Sequence, residues 1–185
     1  MKKRWEVIEV LIKNMNKNVN VLEIGGYSGK TTEYLLKNCK DYIDEYFVID
    51  PYQFYEEYDN IFDQRTDQNK LDIAYKQMKL LEKKYSKLTL LKEFSEDCVS
   101  LFTDEYFDLI FIDANHKYEY VKKDIINWYS KVKHSGIISG HDYNYPGLDG
   151  VKYAVDELFE KCQIQDDYVW YVEKQNCPLS IYNKL

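Results

Sequence analysis

The sequence VNVLEIGGYSGKT, residues 19–31, is a short apolar run that ends in a glycine-rich segment. An apolar run of this length, followed by glycines and a helical pattern, indicates a buried strand, a tight turn and a helix. The same alternation continues along most of the chain. Strands are predicted at residues 19–25, 46–50, 88–91, 107–113 and 136–140, with helices at 3–16, 31–39, 67–86, 95–101, 118–132 and 151–162.

The predicted strands are nearly continuous in apolar residues, which is typical of strands that are buried on both faces. Strands and helices in alternation form a parallel sheet that is covered by helices on both sides. Two further strands, at 168–172 and 179–182, are joined by too few residues for a parallel crossover, so they must be antiparallel. We therefore predict an α/β fold: a doubly wound, Rossmann-like sheet of seven strands, mostly parallel with one antiparallel strand.

The chain has 185 residues and contains no repeat, low-complexity tract or linker, so we predict a single domain over residues 1–185. Its parts are an N-terminal helix (1–18), a ligand-binding core (19–162) and closing antiparallel strands (163–185). Four cysteines are present without a CxxC pair, which argues against a zinc ribbon or a redox pair.

The charge balance of the chain limits the classes of binding partner that we expect. There are 25 basic and 32 acidic residues, giving a net charge of −7, whereas nucleic-acid binders usually present a basic face. No apolar run approaches the ~20 residues of a membrane helix. Glu6 and Glu9 interrupt any signal-like stretch at the N-terminus. We expect a cytoplasmic protein without a membrane partner, and the acidic balance disfavours a nucleic-acid partner.

Ligands of doubly wound sheets bind outside the carboxyl ends of the strands. Two of the three histidines and five of the seven glycines lie beside these predicted strands. A purely structural domain has no reason to gather His, Asp and Gly there, so this edge is the predicted functional site. The polar residues and glycines at the predicted strand ends are Glu23, Gly25, Asp50, Glu93, Ser95, Asp113, Asn115, His116, His141, Asp142 and Tyr143.

The loop after the first strand fits one of three ligand-binding patterns. A phosphate loop needs GxxxxGK[ST], but its leading glycine would fall on Ile24. A dinucleotide fingerprint GxGxxG would need a glycine in place of Tyr27. The pattern Glu-x-Gly-x-x-x-Gly does fit, from Glu23 to Gly29. It lets bare backbone approach a ligand without phosphate, while the Glu23 carboxylate can attract a cation such as the amino or sulfonium group of S-adenosylmethionine.

The sequence also resembles a known family. The segments VLEIGGYSGKTTEYLL, FVIDPY, FDLIFIDANHKYEYVKKDI and GIISGHDY are similar to the motifs of class I S-adenosylmethionine-dependent methyltransferases. The most similar subgroup is the small-molecule O-methyltransferase-like set, which is related to catechol and macrocin O-methyltransferases. The resemblance extends from about Val19 to Cys162, and the four motifs occur in the expected order and spacing.

This resemblance implies a cofactor site. It implies that the methionine part is lined by Glu23, Gly25, Gly26, Tyr27, Ser28 and Gly29. It implies that the ribose is held by Asp50, and that the adenine lies against Pro51, Tyr52, Ser95 and Glu96. Asp113 would lie next to the methionine and the methyl group. Two structural alternatives stay open: the glycines could form only a tight turn, and Ser95 could cap the next helix.

The catalytic residues are predicted at the ends of the fourth and fifth strands, where Asp113, His116, His141 and Asp142 gather. An alcohol needs a general base or a metal ion before it can accept a methyl group. In catechol-type relatives two acids and an amide hold magnesium; Asp113 and Asp142 match the acids, but Tyr143 stands where the amide would be. His141 or His116 could replace it, which would favour Mn or Fe over Mg.

Without a metal, His116 is the predicted general base, oriented by Asp113 or Asp142. Two simpler alternatives remain: His116 could cap a helix or lie on the surface, and His141 could be a buried structural histidine. The predicted metal ligands are Asp113, Asp142 and His141, and the metal itself stays an open alternative.

Two loops at this edge, residues 51–58 and 143–150, would set the acceptor specificity. The first could close as a lid or, equally, pack on the sheet as an amphipathic segment. Because the sequence has no large insertion, we expect the acceptor site to be either open or completed by a second subunit, as in a homodimer. The sequence favours a methyltransferase that acts on an oxygen of a small molecule, with a sugar or polyol as one candidate. The alternatives are a methyltransferase for protein or nucleic acid, or a non-catalytic S-adenosylmethionine-binding domain.

Overall fold

The computed structural model describes residues 1–54 and 67–180. Strands and helices alternate along them as the apolar pattern predicts. The helices are α1 (Arg4–Asn14), α2 (Lys30–Asn38), α3 (Gln68–Lys84), α4 (Ser95–Cys98), α5 (Tyr118–Tyr129) and α6 (Asp149–Leu158). The strands are β1 (Val19–Ile24), β2 (Ile43–Ile49), β3 (Leu88–Leu91), β4 (Phe107–Ile112), β5 (Val132–Gly140), β6 (Gln163–Ile164) and β7 (Trp170–Glu173).

The strands form one sheet in the order β3-β2-β1-β4-β5-β7-β6. Strands β1 to β5 are parallel, and β7 pairs in the antiparallel sense with both β5 and β6. The predicted fold class is thus confirmed, including the single reversed strand. Because the chain runs from β1 to β2 and β3 on one side and then to β4 and β5 on the other, the carboxyl ends of β1, β2 and β4 lie side by side at a crevice.

The closing strands differ from the prediction. The partner of β7 is the two-residue strand Gln163–Ile164, which precedes it, and not residues 179–182. Both residues of β6 are exposed, so no apolar pattern marks this strand. Residue 179 follows Pro178, which has no N–H to give to a strand ladder, and it is not in a strand. Residues 181 and 182 lie outside the described residues.

Other element boundaries also move. The predicted helix at 118–132 ends at Tyr129, and β5 begins already at Val132, which pairs with Phe107. Residues 133–135 are polar and in part exposed, so the apolar pattern did not predict this part of the strand. Helix α6 runs from Asp149 to Leu158 rather than over 151–162, because Phe159 has an extended backbone.

Each face of the sheet is covered by its own apolar layer. Val21 and Leu109 point toward α1, α2 and α3, whereas Leu22 and Ile110 point toward α5 and α6. This alternation along β1 and β4 is the two-residue period of a strand buried on both faces. None of the helices in the described ranges is long and apolar enough to cross a membrane.

Candidate functional site

A cavity of about 270 Å³ lies at the carboxyl ends of β1, β2 and β4. Its apolar walls include Ile24, Ile49 and Leu71, and its polar groups come from the loops that follow the strands. The lining residues that the sequence predicted are Gly25, Asp50, Pro51, Ser95 and Glu96. Mostly apolar walls with a few polar groups are typical of a small-molecule site.

Gly25 makes the first turn of the cavity possible. Its φ is +92°, in the left-handed region, and a Cβ placed on it would lie 2.2 Å from the carbonyl oxygen of Asp113. Only glycine allows the end of β1 to pass so close to the end of β4. The turn therefore brings the loop after β1 and the first residue after β4 together at one place.

Asp50 connects the loops after β1 and β2. Its side chain is buried, and its two carboxylate oxygens accept the backbone N–H groups of Tyr27 at 2.8 Å and Tyr52 at 2.9 Å. Each carboxylate oxygen can accept more than one hydrogen bond, so Asp50 can also accept hydroxyl groups of a ligand in the cavity. Tyr52 itself is buried and packs against Tyr75 rather than lining the cavity; its neighbour Pro51 does line it.

Glu23 lies on the opposite face of β1 from Ile24. Its carboxylate accepts hydrogen bonds from the hydroxyl groups of Thr32 at 2.6 Å and Tyr46 at 2.8 Å. Full burial raises the pKa of Glu23 to about 7, although both hydrogen bonds lower it. Glu23 does not belong to the cavity lining found among the described residues, so its contact with a cofactor stays a prediction.

The other residues of the glycine loop lie around the cavity rather than in its wall. Tyr27 and Ser28 contribute to a separate groove beside α3. A Cβ on Gly26 would lie 2.3 Å from Val48, and one on Gly29 would lie 2.4 Å from Met78. These glycines let the loop pack between β2 and α3. Among the residues predicted to form a lid, 53 and 54 line the cavity, and 55–58 lie outside the described residues.

Ser95 is the first residue of α4, and the N-cap of that helix is Phe94. The Ser95 hydroxyl instead forms a buried hydrogen bond with the carboxyl group of Asp124 on α5. Both residues line the cavity. Asp124 is not among the residues predicted from the sequence, although its position between Val121 and Ile125 on the buried face of α5 marks it as an acid among apolar residues.

The predicted catalytic residues form an acid–imidazole cluster where β4 and β5 end. One ligand atom each from Asp113, His141 and Asp142 lies within 4.8 Å of the others. His116 Nε2 lies 2.8 Å from Asp142 Oδ2, and His141 Nδ1 lies 3.0 Å from Asp142 Oδ1. In the part of the chain that the structure describes, none of these nitrogens makes a well-directed hydrogen bond.

Electrostatics favour charged forms in this cluster. Burial alone would raise the pKa of Asp142, but contacts with His116 and His141 hold that pKa well below its usual range. Burial lowers the pKa of His141, yet the Asp142 and Asp113 carboxylates raise it above its ordinary value. Asp142 is therefore a carboxylate at neutral pH, held next to two imidazoles.

Two residues that the sequence did not single out complete the surroundings. Arg4 at the start of α1 places its Nε 3.1 Å from Asp113 Oδ2 and 3.3 Å from the hydroxyl oxygen of Thr31. Asp167 lies with one oxygen 3.8 Å from His141 Nε2, and the same oxygen accepts the backbone N–H of Arg4. These contacts join segments that are far apart in sequence, so no local sequence pattern predicts them.

Comparison with known proteins agrees with this geometry. The model of a family described as a methyltransferase domain matches residues 22–143, which include the glycine loop, Asp50 and the acid–imidazole cluster. No curated protein matches the chain by sequence.

Solved structures share the fold at low sequence identity. The O-methyltransferase NovP is 17% identical, with a TM-score of 0.66 over 92% of this chain and 79% of NovP. The SAH-bound methyltransferase PaMTH1 from Podospora anserina is 20% identical, with a TM-score of 0.59 over 94% and 79%. The CurJ carbon methyltransferase is 15% identical, with a TM-score of 0.56 over 91% and 52%. Since both oxygen and carbon methyltransferases share this fold, the fold alone does not define the acceptor.

The family model covers well over half of the chain, from the end of β1 to the residues after β5. The protein therefore belongs to the methyltransferase-domain family and is a class I S-adenosylmethionine-dependent methyltransferase.

Proposed function

We propose that this protein transfers the methyl group of S-adenosylmethionine to an oxygen atom of a small molecule, with a sugar or polyol as the first candidate. One observation carries the proposal: the cavity that contains Gly25 and Asp50 adjoins an acid–imidazole cluster at the ends of β4 and β5. Residue 113 belongs to the cluster, and the next residue, Ala114, lines the cavity. A cofactor in the cavity would thus have its methyl end beside the groups that activate an acceptor.

The cavity suits the cofactor in one orientation. Asp50 would accept the ribose hydroxyls, and the adenine would lie between Pro51 and the start of α4 at Ser95 and Glu96. The methionine part would then extend past Gly25 toward Asp113. Asp113 is ion-paired with Arg4, so this end of the site presents both a carboxylate and a guanidinium to an amino-acid group. These two charges match the ammonium and the carboxylate of the methionine part.

The acid–imidazole cluster also fits a divalent metal ion. Asp113, Asp142 and His141 supply two carboxylates and an imidazole, and the His141 nitrogens make no hydrogen bond within the described residues. Tyr143 does not contribute, because its hydroxyl group donates to Asp156 at 2.7 Å. A bound Mg, Mn or Fe ion would lower the pKa of an acceptor hydroxyl, and the imidazole ligand would favour Mn or Fe.

If no metal is held, His116 is the proposed general base. The acceptor oxygen attacks the methyl carbon in line with the carbon–sulfur bond, and the electron pair of that bond stays on sulfur. The hydroxyl proton passes to an imidazole nitrogen of His116, and the Asp142 carboxylate at 2.8 Å stabilises the imidazolium that forms.

The mouth beside the cluster suits a small acceptor. The rings of Tyr145 and Tyr168 meet edge to face at 5.0 Å and are partly exposed. The backbone N–H of Tyr145 donates to the Asp142 carbonyl, which holds this pair next to the cluster. Aromatic rings beside acidic groups suit a molecule with an apolar face and hydroxyl groups, and we propose no nucleic-acid or membrane partner. A second subunit in a homodimer could complete this side, which the mass in solution would test.

Turnover tests the proposal. The protein is incubated with S-adenosylmethionine and a panel of sugars, polyols and catechols, and S-adenosylhomocysteine formation is measured with and without a chelator. We expect turnover of an oxygen acceptor, with His116→Gln or Asp142→Asn slowing it and exposed Asp97→Asn leaving it unchanged. If the chelator has no effect, the metal role is wrong. If methylation occurs only on protein or nucleic acid, the small-molecule proposal is wrong.

A further inference from the structure

One buried acid in the cavity has no part in the proposal above. Asp124 lies on the inner face of α5 with only 7% of its surface exposed, and it lines the cavity together with Ser95 and Glu96. Its neighbours on that face, Val121 and Ile125, are buried in the apolar layer. Burial of a carboxyl group lowers the stability of the fold unless its oxygens accept hydrogen bonds, so we expect hydrogen-bond donors for both oxygens of Asp124.

The protein itself satisfies Asp124 only in part. The Ser95 hydroxyl bonds to one oxygen, Oδ1, and the described residues provide no other hydrogen bond to this carboxyl group. The adjacent Lys123 does not reach inward, because it pairs with Glu96 at 2.9 Å in a largely exposed contact. Burial raises the pKa of Asp124 to about 7, although the Ser95 hydrogen bond and the charge of Lys123 lower it. The second oxygen, Oδ2, is thus available to a donor in the cavity.

The surroundings indicate what kind of donor this is. Ile49, Leu71 and Phe94 form apolar walls around the same space, which suits a flat aromatic heterocycle. An exocyclic amino group on the edge of such a ring would donate to a carboxyl oxygen. Adenine has an amino group at position 6, whereas hypoxanthine has an oxo group there. Above the pKa of Asp124, where its carboxyl group is ionised, hypoxanthine would put two acceptors face to face.

We infer that Asp124, held by Ser95, accepts a hydrogen bond from the 6-amino group of the cofactor's purine and thereby selects adenine. This inference rests on the proposed function, since it needs the adenosine part to occupy the cavity. Asp124 is then a specificity-determining residue on α5, in addition to Ser95 and Glu96 on α4. The alternative is that the Ser95–Asp124 contact only joins α4 to α5, in which case the identity of the base would not matter.

The test compares two ligands that differ at this position. Calorimetric titration of the wild-type protein at pH 8.5, where Asp124 is ionised, with S-adenosylhomocysteine and with S-inosylhomocysteine gives the ratio of their dissociation constants. We expect S-adenosylhomocysteine to bind about 10- to 100-fold more tightly, as for a hydrogen bond to a buried acid. Asp124→Asn and Asp124→Leu should bring this ratio to within a few-fold of one, and exposed Asp97→Asn on α4 should leave it unchanged.

The outcomes separate the two proposals. If the wild-type protein binds S-adenosylhomocysteine but does not discriminate against S-inosylhomocysteine, the role of Asp124 is wrong and the proposed function stands. If discrimination survives in a folded Asp124 variant, another residue reads the base. If neither ligand binds the wild-type protein, the proposed function fails as well. Far-ultraviolet circular dichroism establishes that each variant is folded, and either folded substitution decides the question.

Discussion

The replacement of Glu23 by glutamine should stabilise the protein at alkaline pH. Glu23 is fully buried between β1, β2 and α2, where its carboxyl group accepts two hydroxyl hydrogen bonds. Burial raises its pKa from an ordinary value of 4.5 to about 7. Glutamine has nearly the same shape, can accept both hydrogen bonds through its amide oxygen, and never ionises. It is therefore a permanent analogue of the protonated acid.

The sign and size of the effect follow from proton binding. Between pH 4.5 and 7 the folded protein keeps the Glu23 proton while the unfolded chain loses it, so the free energy of unfolding falls as the pH rises. One pKa step corresponds to about 1.4 kcal/mol, so the full loss is about 3 kcal/mol. About 1 kcal/mol of this is already lost at pH 5.5. From pH 5.5 to 8.5 the advantage of Glu23→Gln over wild type should therefore grow by about 2 kcal/mol.

Urea unfolding at pH 5.5 and 8.5, followed by tryptophan fluorescence, measures this difference. Glu33→Gln on α2 is the matched control, because Glu33 is half-exposed and pairs with Lys84 at the surface. Its effect should stay below about 1 kcal/mol and change little between these pH values. A pH-independent difference between Glu23→Gln and wild type, or a variant less stable than wild type at pH 8.5, would refute the assigned burial of Glu23.

Three further results are expected. Gly25→Ala should destabilise the protein by about 2 kcal/mol or more in the same urea assay, since its Cβ would meet the Asp113 carbonyl at 2.2 Å; an unchanged midpoint would contradict this close approach. The wild-type protein should bind Mn²⁺ in a calorimetric titration, and Asp142→Asn should weaken that binding roughly tenfold or more; equal affinity would remove Asp142 from the metal ligands. If turnover survives chelation, His116→Gln should slow it about 100-fold or more at little cost in cofactor affinity; unchanged turnover of that variant in chelator would exclude His116 as the base.

The sheet could be predicted because its parallel strands are buried on both faces and therefore appear as apolar runs. Parallel strands end at the same edge of the sheet, and ligands bind at that edge. The positions of Asp50, Asp113 and Asp142 after three of these strands therefore predicted the site before any contact was known. Strand β6 was not predicted, because its two residues are both exposed and form no apolar pattern. It forms only by pairing with β7.

Details within the site depend on packing that the sequence does not encode locally. The strand period places Glu23 on the face of Val21, but only the structure shows that the cavity opens on the other side, beside Ile24. Arg4 reaches Asp113 because α1 packs against the turn that precedes β7. Asp124 is different, since an acid on the apolar face of α5 was visible in the sequence.

The central claim is that S-adenosylmethionine occupies the cavity at the ends of β1, β2 and β4 and is held there by Asp50. Calorimetric titration of the wild-type protein, Asp50→Asn and the exposed control Asp41→Asn with S-adenosylmethionine tests it most directly. We predict saturable one-to-one binding, weakened tenfold or more in Asp50→Asn and unchanged in Asp41→Asn. Absence of binding to the wild-type protein, or equal affinity of Asp50→Asn, would contradict the claim.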